Sequence, residues 1–387
     1  MSNEPTVGPA EVSGNGYIAY VRRDGERWRI HFASEPRTSP QPLWFHIQAR
    51  DLGGAPVEFV WELPDICLGN RSELHLLRPV LRADGGEWVR CDEVSVDEHA
   101  DGRRSLRFSH DGGAETLAAA FCFPYATQHL DATLSELGDA WERSLIGVTH
   151  ESRPLERLRL AGEDSGERPG VYLAARQHSG ETPGSWVLDG ILRFLASDSE
   201  EAVAMRETLD VWACPFVDLD GVVNGDYGKD ALPWDYNRAW EQLPMRASVH
   251  AIQRDLIRFH ERTAPRIVID LHGPGHSTPG VYLQLPRGER PVGQRGGALE
   301  FAKDLAEHFP ELQASRLSHE TSYASRWNKL STLGTWTWDY LGETQCVSVE
   351  TSYQRLTEDL LYPADYHEIG RRVIGAATAW LARAETV

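Results

Sequence analysis

VYLAARQHSGETPGSWVLDGILRFLAS, residues 171–197, reads as a buried strand, a tight polar turn and an amphipathic helix in direct succession. Val171–Arg176 is a nearly unbroken apolar run, the pattern of a strand covered on both faces. Ser185–Ser197 repeats apolar residues at i, i+3, i+4 and i+7, the stripe of a helix lying on a sheet. The same alternation continues down the chain. The strand-like runs Val211–Val217, Arg266–His272 and Cys346–Glu350 alternate with helical periods at Ala247–Thr263, Ala298–Phe309 and His367–Glu385. This predicts an α/β domain with a mixed, mostly parallel sheet flanked by helices. Ligands of such sheets gather at the carboxyl ends of the strands. Here those ends are Gln177–Glu181, the loop from Asp218 to Arg238, His272–His276 and Glu350–Ser352.

Upstream the rhythm is different. From Gly16 to Phe123 short strand-like runs such as Arg27–Phe32, Leu43–Gln48, Val57–Leu63 and Ser105–His110 are separated by RDG, DLGG, ADGG and HDGG, clusters suited to turns with positive φ. An antiparallel β-sandwich is expected there. Thr127–Trp141 reads as helical and marks the change. The expected organisation is a flexible tail over 1–15, a sandwich domain over 16–130 and the α/β domain over 131–387.

Composition narrows the partners. With 39 Lys+Arg against 58 Asp+Glu the formal charge is −19, and no basic run exists. Nucleic acid and anionic membranes, which need a basic face, are therefore excluded as expected partners. The five cysteines, Cys67, Cys91, Cys122, Cys214 and Cys346, are odd in number and contain no C-x-x-C. With no long apolar run and no leader-like start, the chain is expected to be cytoplasmic.

The chemistry sits at the predicted strand ends. His178 and Glu181 stand in an H-x-x-E spacing across a tight turn, where an imidazole and a carboxylate can converge on one cation. The same spacing also arises at a helix N-terminus carrying a surface histidine. His272 closes an apolar strand, where a histidine needs partners, and Asp270 two residues earlier shares its face. A satisfied core histidine is the competing reading. Two histidines, one carboxylate and an open position are the donor set of a catalytic zinc site. Asn237 and Arg238 in WDYNRAW offer a guanidinium fork for a substrate carboxylate. Glu350, at the end of CVSVE, can serve as a general base.

ARQHSGETPGSWVLDGILRFL, PFVDLDGVVNGDYGKDALPWDYNRAW, VIDLHGPGHS and VSVETSY, in this order, resemble the zinc metallocarboxypeptidases of the cytosolic-carboxypeptidase-like subfamily. The segments LWFHIQARDLGGAPVEFVWEL and LRFSHDGGAETLAAAFCFPYATQHLD resemble that subfamily's N-terminal β-sandwich, so the likeness runs from about residue 16 to 380. The resemblance implies that His178, Glu181 and His272 bind one zinc ion per chain and that Glu350 is the general base. It also implies that Asn237 and Arg238 hold the terminal carboxylate of a peptide or small amide substrate.

Two departures stand out. The family usually has an arginine where this chain has Gly228; Lys229, one of only three lysines, follows it and is a candidate to supply the charge, the alternative being a solvated loop lysine. Members that trim glutamate chains usually carry an arginine in the segment before the base. This chain has Trp336, Thr337 and Trp338 there, with Trp336 a candidate pocket wall or simply a core residue. Tyr323 is a candidate substrate-covering phenol, or a structural tyrosine. A zinc deacylase of N-acyl amino acids and a non-catalytic zinc-binding scaffold are the competing functions.

Overall fold

The computed structural model describes residues 4–62, 73–162, 168–241, 243–276, 278–285, 292–312, 318–320 and 330–384. The amino-terminal part is a pair of five-stranded sheets. Its strands are β1 (Thr6–Pro9), β2 (Tyr17–Asp24), β3 (Arg27–Ala33), β4 (His46–Arg50), β5 (Val57–Glu62), β6 (Val80–Ala83), β7 (Val89–Arg90), β8 (Ser95–Glu98), β9 (Arg104–His110) and β10 (Leu117–Ala120). One sheet has the order β1-β4-β10-β6-β7 and the other β2-β3-β5-β9-β8. All pairs are antiparallel except β3·β5, which is parallel. Inward-facing aromatic residues fill the space between them. Phe59 and Phe108 are opposed across β5·β9 and stack at 5.3 Å, and Phe32, Phe45, Trp61 and Phe121 pack around them. Each such buried ring contributes roughly 1.5–3 kcal/mol.

The expectation of a flexible tail over 1–15 is corrected for residues 4–15. Thr6–Pro9 pair with β4, the Ser13 amide donates to the Val223 carbonyl, and the Asn15 side chain donates to the Gly225 carbonyl. Backbone pairing needs no apolar alternation, which is why the composition of this segment did not announce it.

The helix expected over Thr127–Trp141 is α1 (Thr127–Leu137), and Trp141 opens a strand. The eight-stranded central sheet comprises β11 (Trp141–Val148), β12 (Pro154–Leu160), β13 (Arg168–Ala175), β14 (Asp210–Cys214), β15 (Thr263–His272), β16 (Val281–Leu285), β17 (Ser318–Glu320) and β18 (Gln345–Thr351), ordered β11-β12-β14-β13-β15-β18-β16-β17. β14, β13, β15 and β18 form the parallel centre; β12 and β16 flank it antiparallel. The mixed sheet flanked by helices is thus as read from the sequence. After β13 the chain crosses to β14 on one side and then returns to β15 on the other, so the strand order switches at β13. A crevice opens at such a switch point, above the carboxyl ends.

The helices that cover the sheet are α2 (Thr182–Leu195), α3 (Glu200–Thr208), α4 (Leu219–Asn224), α5 (Ala247–Arg262), α6 (Val292–His308), α7 (Leu333–Leu341) and α8 (Pro363–Ala384). α2 and α8 cross closely because each offers a glycine at the contact. A Cβ on Gly190 would lie 2.3 Å from the His367 Cα, and one on Gly370 would lie 2.3 Å from the Val187 carbonyl oxygen. A second apolar core, with Tyr172, Trp212, Trp240, Phe259 and Trp336, lies under α5 and α7.

Candidate active site

The turn after β13 is built by a buried arginine. Arg176 has φ 63°, and its guanidinium folds back to donate to the Ser179 carbonyl, to the Tyr125 carbonyl at 2.8 Å and to the Ser185 hydroxyl at 3.1 Å. This cross-links the turn and points His178 and Glu181 inward. Glu181 stands at the N-cap of α2 but makes no capping bond with its side chain. The carboxylate instead turns to the two histidines.

His178 Nδ1 lies 2.8 Å from Glu181 Oε1, and His272 Nδ1 lies 2.8 Å from Glu181 Oε2. The ligand atoms of all three residues fall within 4.8 Å of one another, and all three side chains are buried. The far nitrogens are also committed. His178 Nε2 is 3.2 Å from Asp235, and His272 Nε2 is 2.9 Å from Asp270. A neutral imidazole has one N–H. If each Nε2–H donates to its aspartate, both Nδ1 lone pairs face carboxylate oxygens, an arrangement that requires either two extra protons or a cation between them. This donor set fits a zinc ion. Without one, protons take its place: burial opposes a charged ring, but Glu181 and Asp235 outweigh it and push His178 up to about 9. His272 is likewise raised, against burial, by Asp270 and Glu181.

The supporting residues come from distant segments. Asp235 caps a short 3-10 turn, accepts from the Asn237 amide at 2.7 Å and thereby sets both His178 and the Asn237-Arg238 pair. Gln177 bridges Trp240 Nε1, which donates to it at 2.7 Å, and Asp270. Asp270 was legible from its two-residue spacing; Asp235 and Trp240 lie within WDYNRAW and Gln177 within ARQHSGET, but their supporting roles emerge only when the loop after α4 folds over the ends of β13 and β15.

Glu350 lies opposite His272 across β15·β18 and opposite Tyr282 across β16·β18. Its Oε2 is buried without a hydrogen-bond partner among the described residues. Burial raises its pKa, His272 lowers it and Glu181 raises it, for a net upward shift. The Asn237 side-chain nitrogen is 3.2 Å from His272 Nε2, so the Asn237-Arg238 pair sits at the rim of the histidine cluster. Lys229 Nζ is 3.6 Å from Glu181 Oε1, with a third of its side chain (33%) exposed. Burial lowers its pKa, but Tyr227, Glu181, Glu350 and Asp235 raise it further, so the ammonium stays charged.

Gly228 explains why no arginine stands there. Its φ is +86°, and a Cβ would lie 2.7 Å from both the Ser179 nitrogen and the Ser179 hydroxyl. Trp336 is 4% exposed and packs 6.0 Å from Trp240, in the second core, linked to His272 through Trp240, Gln177 and Asp270. Tyr323 lies outside the described residues.

The chain is similar to known proteins over part of its sequence and nearly all of its fold. Residues 126–265 match the zinc carboxypeptidase family, a span that includes His178, Glu181, Lys229, Asn237 and Arg238 and ends before His272 and Glu350. The chain is 29% identical over 186 residues to cytosolic carboxypeptidase 6 of Homo sapiens, covering 45% of this chain and 37% of that protein. It is 30% identical over 218 residues to cytosolic carboxypeptidase 6 of Caenorhabditis elegans, covering 52% and 47%. The chain thus spans less than half the length of these relatives. In fold it is similar to a metallo-carboxypeptidase from Burkholderia cenocepacia, with TM-score 0.81 and 18% identity over 98% of this chain and 100% of the other. It is also similar to a metallo-carboxypeptidase from Pseudomonas aeruginosa, with TM-score 0.77 and 20% identity over 98% and 100%.

Proposed function

We propose that this chain, whose residues 126–265 match the zinc carboxypeptidase family, is a metallopeptidase that hydrolyses the C-terminal peptide or amide bond of a substrate with a free carboxylate. The observation that carries this reading is the convergence of two imidazole Nδ1 atoms on one carboxylate, each ring backed by an aspartate. In this reading His178, Glu181 and His272 hold one zinc ion. Bound there, zinc supplies a Lewis acid that polarises the scissile carbonyl and acidifies water.

The rest is done by the chain. Glu350 takes a proton from the attacking water and hands it to the leaving amine; an upward-shifted carboxyl pKa suits both transfers. Arg238 and Asn237 receive the substrate's terminal carboxylate, which confines cleavage to the last bond. Lys229 offers a fixed positive charge beside Glu181 to the oxygen that becomes negative during attack. Residues 16–130 are read as the sandwich domain and 131–387 as the catalytic domain of a cytoplasmic enzyme. Among the described residues no helix is long and apolar enough to cross a membrane.

The test is a library of C-terminally free peptides, their amidated counterparts and N-acyl amino acids, assayed with protein of known zinc content. Release of the last residue from free peptides and not from amides is expected. Equal cleavage of amidated peptides, or turnover of N-acyl amino acids alone, overturns the reading.

A further inference from the structure

Arg90 ends β7 in the amino-terminal sandwich and is 2% exposed. Its Nε donates to the Leu361 carbonyl at 2.7 Å, and its Nη1 donates to the Arg78 carbonyl at 3.0 Å and to Gln354 Oε1 at 3.1 Å. Its Nη2 donates to the Tyr353 carbonyl at 2.7 Å and to the Tyr366 hydroxyl at 3.3 Å, with Cys122 Sγ at 3.9 Å. The guanidinium also lies over the Phe123 ring, 4.6 Å from its centre. Among the described residues none of these acceptors is a carboxylate. Burying a cation without an anion is expensive, and hydrogen bonds to neutral groups must first offset that cost before any net stability remains. Stability is therefore a weak reason for Arg90.

Its acceptors suggest a different one. Tyr353, Gln354 and Leu361 belong to the segment that follows β18, and Tyr353 is the third residue after Glu350. That segment closes on itself through the Leu361 amide to the Gln354 carbonyl at 2.8 Å, and it is joined to Gly280 through the Ser352 amide to the Gly280 carbonyl at 3.0 Å and the Gly280 amide to the Arg355 carbonyl at 2.8 Å. Arg90 makes three of the hydrogen bonds that tie this loop to the sandwich, beside the Arg78 amide, which donates to Gln354 Oε1 at 3.1 Å, and Cys122 Sγ, 3.4 Å from the Tyr353 carbonyl. Gly280 in turn leads into β16, whose Tyr282 is the cross-strand partner of Glu350.

Tyr353 carries the connection to the ligand turn. Its ring packs edge-on against Phe121 of the sandwich at 5.2 Å. At its other end, a Cβ on Gly273 would lie 2.9 Å from the Tyr353 hydroxyl, and the Gly273 amide donates to Glu181 Oε2 at 3.1 Å. One short segment thus touches the base strand on one side and the residue that holds Glu181 on the other.

We infer that Arg90 is a positioning residue, through which the sandwich sets the Glu350 carboxylate relative to the His178, Glu181 and His272 cluster. The inference rests on the hydrolase reading for its kinetic readout only. The experiment compares the 387-residue chain with Arg90→Met, Arg90→Lys and Gln354→Met, the last keeping side-chain length while removing the acceptor that Arg90 shares with the Arg78 amide. Zinc content, hydrogen exchange over residues 345–356 and over residues 104–120, and kcat and KM on the best peptide are measured.

Arg90→Met is expected to retain zinc, to exchange faster over 345–356 only, and to lose kcat on the order of 10- to 100-fold with little change in KM, the size of effect that small misplacement of a reacting group produces. Arg90→Lys should recover part of the loss, and Gln354→Met should show a smaller loss of the same kind. Unchanged kcat and exchange in Arg90→Met overturn the inference. If Arg90→Met instead loses zinc and exchanges faster in both regions, Gln354→Met decides: without a local exchange change and a kcat loss there, the inference falls. Should the wild type cleave no peptide, the hydrolase reading fails, while exchange over 345–356 still decides whether Arg90 holds the segment.

Discussion

His272 and Glu350 are directly opposed across the parallel pair β15·β18, each near the carboxyl end of its strand. The register that aligns Ile267 with Gln345 at the start of the pair therefore delivers one residue of the His178, Glu181 and His272 cluster and the proposed base to the same rim. Because side chains alternate along a strand, a slip of one residue would turn Glu350 to the opposite face.

The first prediction concerns that opposition. Glu350→Gln keeps the shape of the side chain and removes its basicity. Zinc binding should be unchanged, because Glu350 is outside the cluster of His178, Glu181 and His272. kcat should fall on the order of 10²- to 10⁴-fold, the usual contribution of a general base. Metal analysis and steady-state kinetics on one sample check both halves. Loss of zinc, or kcat within a few-fold of wild type, contradicts the role.

The aspartates behind the histidines should act on metal affinity. Asp235 and Asp270 each face an Nε2 atom, fixing which nitrogen carries the proton. Asp235→Asn and Asp270→Asn should each weaken zinc binding roughly 10- to 100-fold. Competition with a chromogenic chelator measures this without reference to turnover. Affinity equal to wild type in both variants would mean the rings are oriented by packing alone.

How much of this was legible beforehand follows from the kind of signal each residue leaves. The parallel centre of the sheet announced itself because both faces are covered, giving the apolar runs at Val171 and Arg266. The H-x-x-E turn and His272 stood out because polar residues interrupt such runs. β11 and β12 were missed: they form the edge of the sheet, expose Leu145 and Val148, and carry charged residues at many positions. Arg90 left no signal at all. Its meaning depends on carbonyl groups of residues more than 260 positions away, and backbone acceptors have no sequence signature.

Lys229 and Gly228 give a paired prediction. Lys229→Ala should lower kcat on the order of 10²-fold, the loss seen when an oxyanion donor is removed. Restoring the missing arginine by Gly228→Arg should fail for a steric reason. The backbone there is left-handed, and any Cβ presses on the Ser179 nitrogen and hydroxyl beside His178. Gly228→Arg is therefore expected to lose stability and zinc together, measured by melting and metal analysis. A stable, zinc-loaded Gly228→Arg protein would show that the turn at Ser179 can yield.

The last prediction concerns acid stability and lies away from the His178, Glu181 and His272 cluster. His46 on β4 is buried between Trp44 and Trp88, with Ser13 Oγ 3.3 Å from Nδ1 and, among the described residues, no hydrogen-bond partner at Nε2. Burial first, then the charges of Arg82 and His129, lower its pKa from 6.5 to about 3. The folded ring therefore stays neutral where the unfolded ring takes up a proton. As pH falls through 6.5 the unfolded state gains that proton alone, so the folded state loses stability progressively until about pH 3. At pH 5 this amounts to about 2 kcal/mol. His46→Phe keeps an aromatic ring between the tryptophans and removes the titration. Its unfolding free energy, measured in urea at pH 7.5 and pH 5, should fall by less than that of the wild type over the same interval. An identical fall in both proteins would mean that His46 is protonated in the folded state or hydrated by a route around Ser13.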